Sequence, residues 1–87
     1  MKARFGELLE RCQQGLAAAE ALKNTQLIAG CQNNLGGAYL NLPTGDRRAN
    51  LEKAIACYQA AIRGYEAAGV IQEADRLRQL VESLKSD

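Results

Sequence analysis

The chain has 87 residues, 47% of them hydrophobic and 24% charged, and its eleven basic and ten acidic side chains leave a net charge of +1. That length supports one small domain, 1–87, burying roughly 60% of the surface its unfolded chain would expose, and its interspersed charge lacks the one-sided basic excess of a nucleic-acid binder. Histidine is absent, which removes the imidazole base, the Ser-His-Asp and Cys-His pairs, and the commonest nitrogen ligand of zinc.

Four segments carry helical periodicity, over about 3–23, 25–42, 47–68 and 70–85, and none alternates like a strand. In the first, Phe5, Leu8, Leu9, Cys12, Leu16 and Ala19 share a helical stripe. Asn24 or Thr25 then serves as N-cap, its short polar side chain accepting a hydrogen bond from a free first-turn N–H. The second helix runs through Leu27, Cys31, Leu35, Tyr39 and Leu42, and "LPTGD" ends it with the single proline, a glycine and Asp46 as the next cap. The third has the cleanest period: Leu51, Ile55, Tyr58, Ile62 and Tyr65. Gly69 closes it in the left-handed conformation. The fourth offers Ile71, Ala74, Leu77, Val81 and Leu84. All three connections are short, so the expected fold is all-α, with successive helices antiparallel.

No apolar run approaches the ~20 residues that span a bilayer. The opening "MKARFGELLER" lacks the apolar core of a signal peptide, so a cytoplasmic location and no membrane partner are expected. Cys12, Cys31 and Cys57 are too few and too widely spaced for a disulfide frame or a thiolate zinc site. They read as small packed residues.

Sliding the sequence by 46 positions keeps the apolar phase across a helix, a turn and the next helix: Leu9 falls on Ile55, Leu16 on Ile62, Leu35 on Val81, and Glu20 on Glu66. The first and third helices are then equivalent, as are the second and fourth.

Leu35-Gly36-x-x-Tyr39, followed by Ala54-x-x-x-Tyr58 and the small Ala61, resembles the tetratricopeptide repeat, whose pattern reads W-x2-L-G-x2-Y, then A-x3-F, then proline. The longer stretch "QNNLGGAYLNLPTGDRRANLEKAIACYQAAIRGYE" is similar to the long-repeat bacterial variant of that family, NNLG-x-AY, GDR, NLE-x-AI-x-x-Y. The resemblance implies a short right-handed superhelix of helical hairpins. Gly36 would mark where another helix presses on the backbone, with Leu35, Tyr39, Ala54, Tyr58 and Ala61 packing around it. The chain departs from the pattern at Gln32, which stands at the tryptophan position, and near Glu66–Gly69, where the closing proline has no counterpart. The connection around Pro43–Arg48 is also longer. The reading is one complete helix pair with a half-repeat on each side.

Members of this family bind other proteins, holding a peptide or helix in the groove lined by the first helix of each pair. Here that is the second helix, and the implied groove residues are Gly30, Asn33, Gly37 and Asn41, with Asn34 nearby. Asparagine both donates and accepts, so it can hold a peptide backbone without dictating its sequence. The competing reading makes these asparagines a solvated face, with Asn34 bonded to a neighbouring turn. The family's carboxylate clamp needs a lysine and an asparagine where Asn33 and Gly37 stand, so capture of a terminal carboxylate is not expected.

No catalytic, metal or cofactor residue is expected. Glu7 with Glu10, and Glu73 with Asp75, lie on solvated helix faces, and "PTGDRR" lacks the spacing of a phosphate loop. Phe5, Leu9 and Leu16 have no preceding helix to pack against, which points to a homodimer through that face. Two alternatives remain. One is a purely structural self-assembly unit or piece of a longer repeat scaffold. The more distant one is a small nucleic-acid-binding domain using Arg47, Arg48, Arg76 and Arg78.

Overall fold

A computed structural model describes residues 3–86, with side chains from residue 6 onward, so Phe5 lies outside the described side chains. Four helices form: α1 (Ala3–Leu22), α2 (Thr25–Leu40), α3 (Arg47–Ala67) and α4 (Ile71–Lys85). No strand occurs among the described residues.

The two outer corners share one hydrogen-bonding pattern. At the first, Lys23 takes φ +55°, and its N–H donates to Glu20 O at 3.0 Å while Asn24 N–H donates to Ala19 O at 3.3 Å. At the second, Gly69 takes φ +79°; its N–H donates to Glu66 O at 3.1 Å and Val70 N–H to Tyr65 O at 2.8 Å. Positions 19, 20, 23 and 24 thus correspond to 65, 66, 69 and 70, the same shift of 46 that keeps the apolar phase in the sequence. Both are left-handed helix stops, which satisfy carbonyls of the last turn that have no partner within the helix. The caps that follow differ. Asn24 Oδ1 accepts from Leu27 N–H at 3.0 Å, whereas Val70 caps α4 with no side-chain bond.

The central connection is held by side chains rather than by a tight turn. Gly45 takes φ +82°, and Asp46 Oδ1 accepts from Arg48 N–H at 3.1 Å to start α3. Arg47 reaches back to donate to Leu40 O at 2.8 Å, covering the end of α2. The buried Asn50 donates from Nδ2 to Thr44 O at 2.8 Å and so ties the loop to α3. The triplet Gly45-Asp46-Arg47 therefore supplies the left-handed residue, the N-cap and the bond to the preceding helix.

Helix packing runs in chain order: α1 on α2, α2 on α3, and α3 on α4. The molecule measures 36 × 32 × 16 Å, a slab in which the first and last helices do not meet, unlike a closed four-helix bundle. Small residues make the α2–α3 contact close. A Cβ at Gly36 would fall 2.9 Å from the Tyr58 ring, and one at Gly64 would fall 2.9 Å from Ala29 Cβ. Leu35, Gly36, Ala54, Tyr58 and Ala61 are buried there. Tyr39 is half-buried beneath Lys53, whose Nζ lies 5.6 Å from its ring centre. Ile62, Tyr65, Ala74, Leu77 and Val81 extend the same core to α4. Among its described side chains α1 buries only Ala19, so its hold on the rest is lighter.

Candidate functional site

Gly30 and Gly37 lie seven residues apart, two helical turns, and so share a face of α2. Tyr58 and Tyr65 share a face of the antiparallel α3 for the same reason. The two pairs meet in reverse order. A Cβ at Gly30 would stand 3.7 Å from Tyr65 Oη, and one at Gly37 would stand 3.7 Å from Tyr58 Oη. Tyr58 is 4% exposed and Tyr65 8%, so the rings belong to the core and the hydroxyls emerge beside the glycines. Neither hydroxyl has a hydrogen-bond partner among the described residues, yet no buried side-chain polar atom is left unpaired. Both tips therefore reach solvent.

They reach it through two open hollows of about 380 Å³ each. Asn24, Gln26, Leu27, Gly30, Cys31, Asn34 and Tyr65 line one. Leu8, Cys12, Asn33, Asn34, Gly37 and Tyr58 line the other. Asn34 belongs to both, so the two hollows adjoin along α2, and α1 walls only the one at Gly37 and Tyr58, through Leu8 and Cys12. Among the described residues no charged side chain lines either hollow. Burial pushes the Cys12 thiol up, reinforced by Cys31, and burial followed by the neighbouring Cys57 pushes the Tyr58 phenol up. Both stay neutral at neutral pH.

Gly30, Asn33, Asn34 and Gly37 are thus gathered in one groove of two adjoining hollows, and the side-chain amides of Asn33 and Asn34 have no partner among the described residues. Asn41 stands apart. Its Nδ2 donates to Gly37 O at 2.8 Å and its N–H to the same oxygen at 3.1 Å. It caps α2, ending that helix at Leu40, and lines neither hollow. The tyrosine hydroxyls and the α1 residues Leu8 and Cys12 complete the groove without having been marked by sequence. For the tyrosines the available signal was the matched seven-residue spacing of small residues on one helix and tyrosines on the next; nothing in the spacing marked Leu8 and Cys12.

The expected self-association face is less apolar outside than its pattern implies. Leu9 and Leu16 are half-buried, while Leu8 and Leu22 are exposed, Leu22 at 71%. Leu27 and Ile71 are exposed as well. All three cysteines are free and only half-buried, with Cys31 Sγ 3.6 Å from where Gly15 would carry a Cβ.

Three of the four arginines considered for nucleic acid are engaged within the chain: Arg47 with Leu40 O, Arg76 with Glu73, and Arg78 with Glu66 and Asp75. A further hollow of about 390 Å³ between α3 and α4 includes Ile62, Arg63, Arg78, Val81 and Lys85. Among the described residues no group of three metal-ligating side chains forms, and no helix is long and apolar enough to cross a membrane. No protein-family model, curated protein or solved structure matches this sequence.

Proposed function

We propose that the chain is a non-catalytic, cytoplasmic protein–protein interaction module of tetratricopeptide-repeat type. In this reading α2 and α3 form the complete helix pair of a short right-handed superhelix, α1 and α4 are half-repeats, and the α2 groove receives a peptide or helix of a partner. The observation that carries it is the groove itself. Two core tyrosines hold hydroxyls with no partner among the described residues beside two helical glycines, and Asn33 and Asn34, whose amides likewise have none there, stand along the same surface. Neighbour-only helix packing and the corner geometry repeated at a shift of 46 support the repeat architecture.

Panning a random peptide-display library on the chain tests this reading. Peptides bound in the groove lose binding to Asn34→Arg, which fills the junction of the two hollows from an exposed position. Selected peptides indifferent to Asn34→Arg would remove the groove from the account.

Self-association is the second part of the proposal, and the exposed Leu22 of α1, which lines neither groove hollow, favours it. Replacing Leu22 by lysine should reduce the solution mass measured by light scattering to that of one chain. A mass the same before and after substitution contradicts it.

A further inference from the structure

The shift of 46 that relates the two outer corners also relates the hollow between α3 and α4 to a part of the molecule that is already filled. That hollow, about 390 Å³, is lined on α4 by Arg78, Val81, Glu82 and Lys85. At 46 positions earlier, Val81, Glu82 and Lys85 fall on Leu35, Gly36 and Tyr39, which are buried or half-buried in α2. There α3 lies against the helix: the Tyr58 ring would meet a Cβ at Gly36 at 2.9 Å, and Lys53 Nζ lies 5.6 Å from the Tyr39 ring centre. The hollow is thus the seat that a helix equivalent to α3 takes on α4. By the same shift α1 is that equivalent, and within the chain it packs on α2 alone.

Carrying the α2–α3 contacts forward by 46 pairs α4 with α1 of another copy. Lys53 over Tyr39 becomes Glu7 beside Lys85, a pair of opposite charges. Both are exposed, and neither has an ion-pair partner among the described residues. Tyr58 against Gly36 becomes Cys12 against Glu82, so a large residue on a small one is replaced by a small residue on a long one. Glu82 shares its hollow with Arg63, Arg78 and Lys85, so its charge is not enclosed alone. At the far end, Thr25 O lies 3.5 Å from where Gly64 would carry a Cβ, and this becomes Ile71 beside Ala18. Leu22 lies one turn beyond Ala18, so Leu22 and Ile71, exposed at 71% and 54%, come to the same corner.

We propose that α1 of one copy docks on the α3–α4 hollow of the next, with Glu7 against Lys85 and Leu22 against Ile71. This rests on the self-association read above and names the surface that α1 meets. The two surfaces differ, so the contact is heterologous, and copies add head to tail rather than closing as a symmetric pair.

The test is light scattering of the 87-residue chain at low salt over a range of concentrations, beside Glu7→Lys, Lys85→Glu and an equimolar mixture of those two variants. The wild-type mass should climb past two chains as concentration rises. Each variant alone sets like charges opposite one another and should associate roughly three- to tenfold more weakly. The mixture restores opposite charges wherever unlike chains meet and should recover most of the lost mass. Ile71→Lys, on a helix that a symmetric α1 contact does not involve, should lower the mass as Leu22→Lys does. A wild-type mass that stops at two chains, or a mixture no heavier than its parts, would overturn the head-to-tail contact. Loss of mass in Leu22→Lys with none in Ile71→Lys would also overturn it and leave self-association through α1 standing. A wild-type mass of one chain at every concentration would overturn both.

Discussion

Gly36 lies directly against Tyr58: a Cβ at position 36 would fall 2.9 Å from the ring, closer than real carbon atoms approach. Its neighbour Gly37 has room, since a Cβ there would meet only Tyr58 Oη at 3.7 Å. A glycine inside a helix costs about 1 kcal/mol relative to alanine at either position. At Gly36 that cost is offset by the approach of α3. At Gly37 nothing in the packing offsets it.

Alanine at the two positions should therefore have opposite effects. Gly37→Ala should stabilise the fold by up to about 1 kcal/mol through helix propensity. Gly36→Ala gains the same propensity but displaces a buried ring, at about 1–3 kcal/mol, so a net loss of about 1 kcal/mol is expected. Urea denaturation of the two variants compares them, and equal midpoints would contradict the contact.

Lys23 occupies the position that Gly69 holds in the equivalent corner, at φ +55°. A residue with a Cβ is less favourable in this region by roughly 1 kcal/mol. Lys23→Gly should raise stability by about 0.5–1 kcal/mol, whereas Gly69→Lys should lower it by a similar amount. Thermal melts of the pair check both signs.

The helices were legible because burial follows a period of 3.6, and α3 shows it without a break. Asn24, Asp46 and Gly69 announced their ends by chemistry, since a cap or a left-handed residue draws on few side chains. Lys23 announced nothing. Its conformation is imposed by the Schellman-type bonds of Glu20 and Ala19, and lysine has no preference for it. Asn41 shares the spacing of the groove asparagines but turns its amide onto Gly37 O, and spacing alone does not distinguish a cap from a groove residue. The hydroxyls of Tyr58 and Tyr65 were missed because periodicity reports that a ring is buried and not where its polar tip emerges.

The central loop depends on Asn50, whose buried amide holds Thr44 O at 2.8 Å. Asn50→Ala removes that bond and should cost about 1–2 kcal/mol. Amide exchange at residues 44–46 should accelerate more than at the two outer corners. Uniform acceleration along the chain would show that the bond does not act locally.

Alkaline stability follows from three groups. Burial raises Cys12, Cys57 and Tyr58 above their ordinary 9.0, 9.0 and 10.0. The folded state then keeps protons that the unfolded state releases, so stability is full below about pH 9 and falls as pH rises through the folded values. Tyr58→Phe lacks one of these groups and should lose less stability over the same range, measured by urea midpoints at successive pH values. Equal losses in the two proteins would contradict burial of the Tyr58 phenol.

The claim at the centre of this account is that α2, with Tyr58 and Tyr65 behind it, receives a segment of another chain. A crystal structure of the protein with a library-selected peptide tests it most directly. The account predicts a peptide lying along α2, with acceptor atoms within about 3.2 Å of both tyrosine hydroxyls. A peptide seated instead between α3 and α4, beside Arg63 and Lys85, would contradict it.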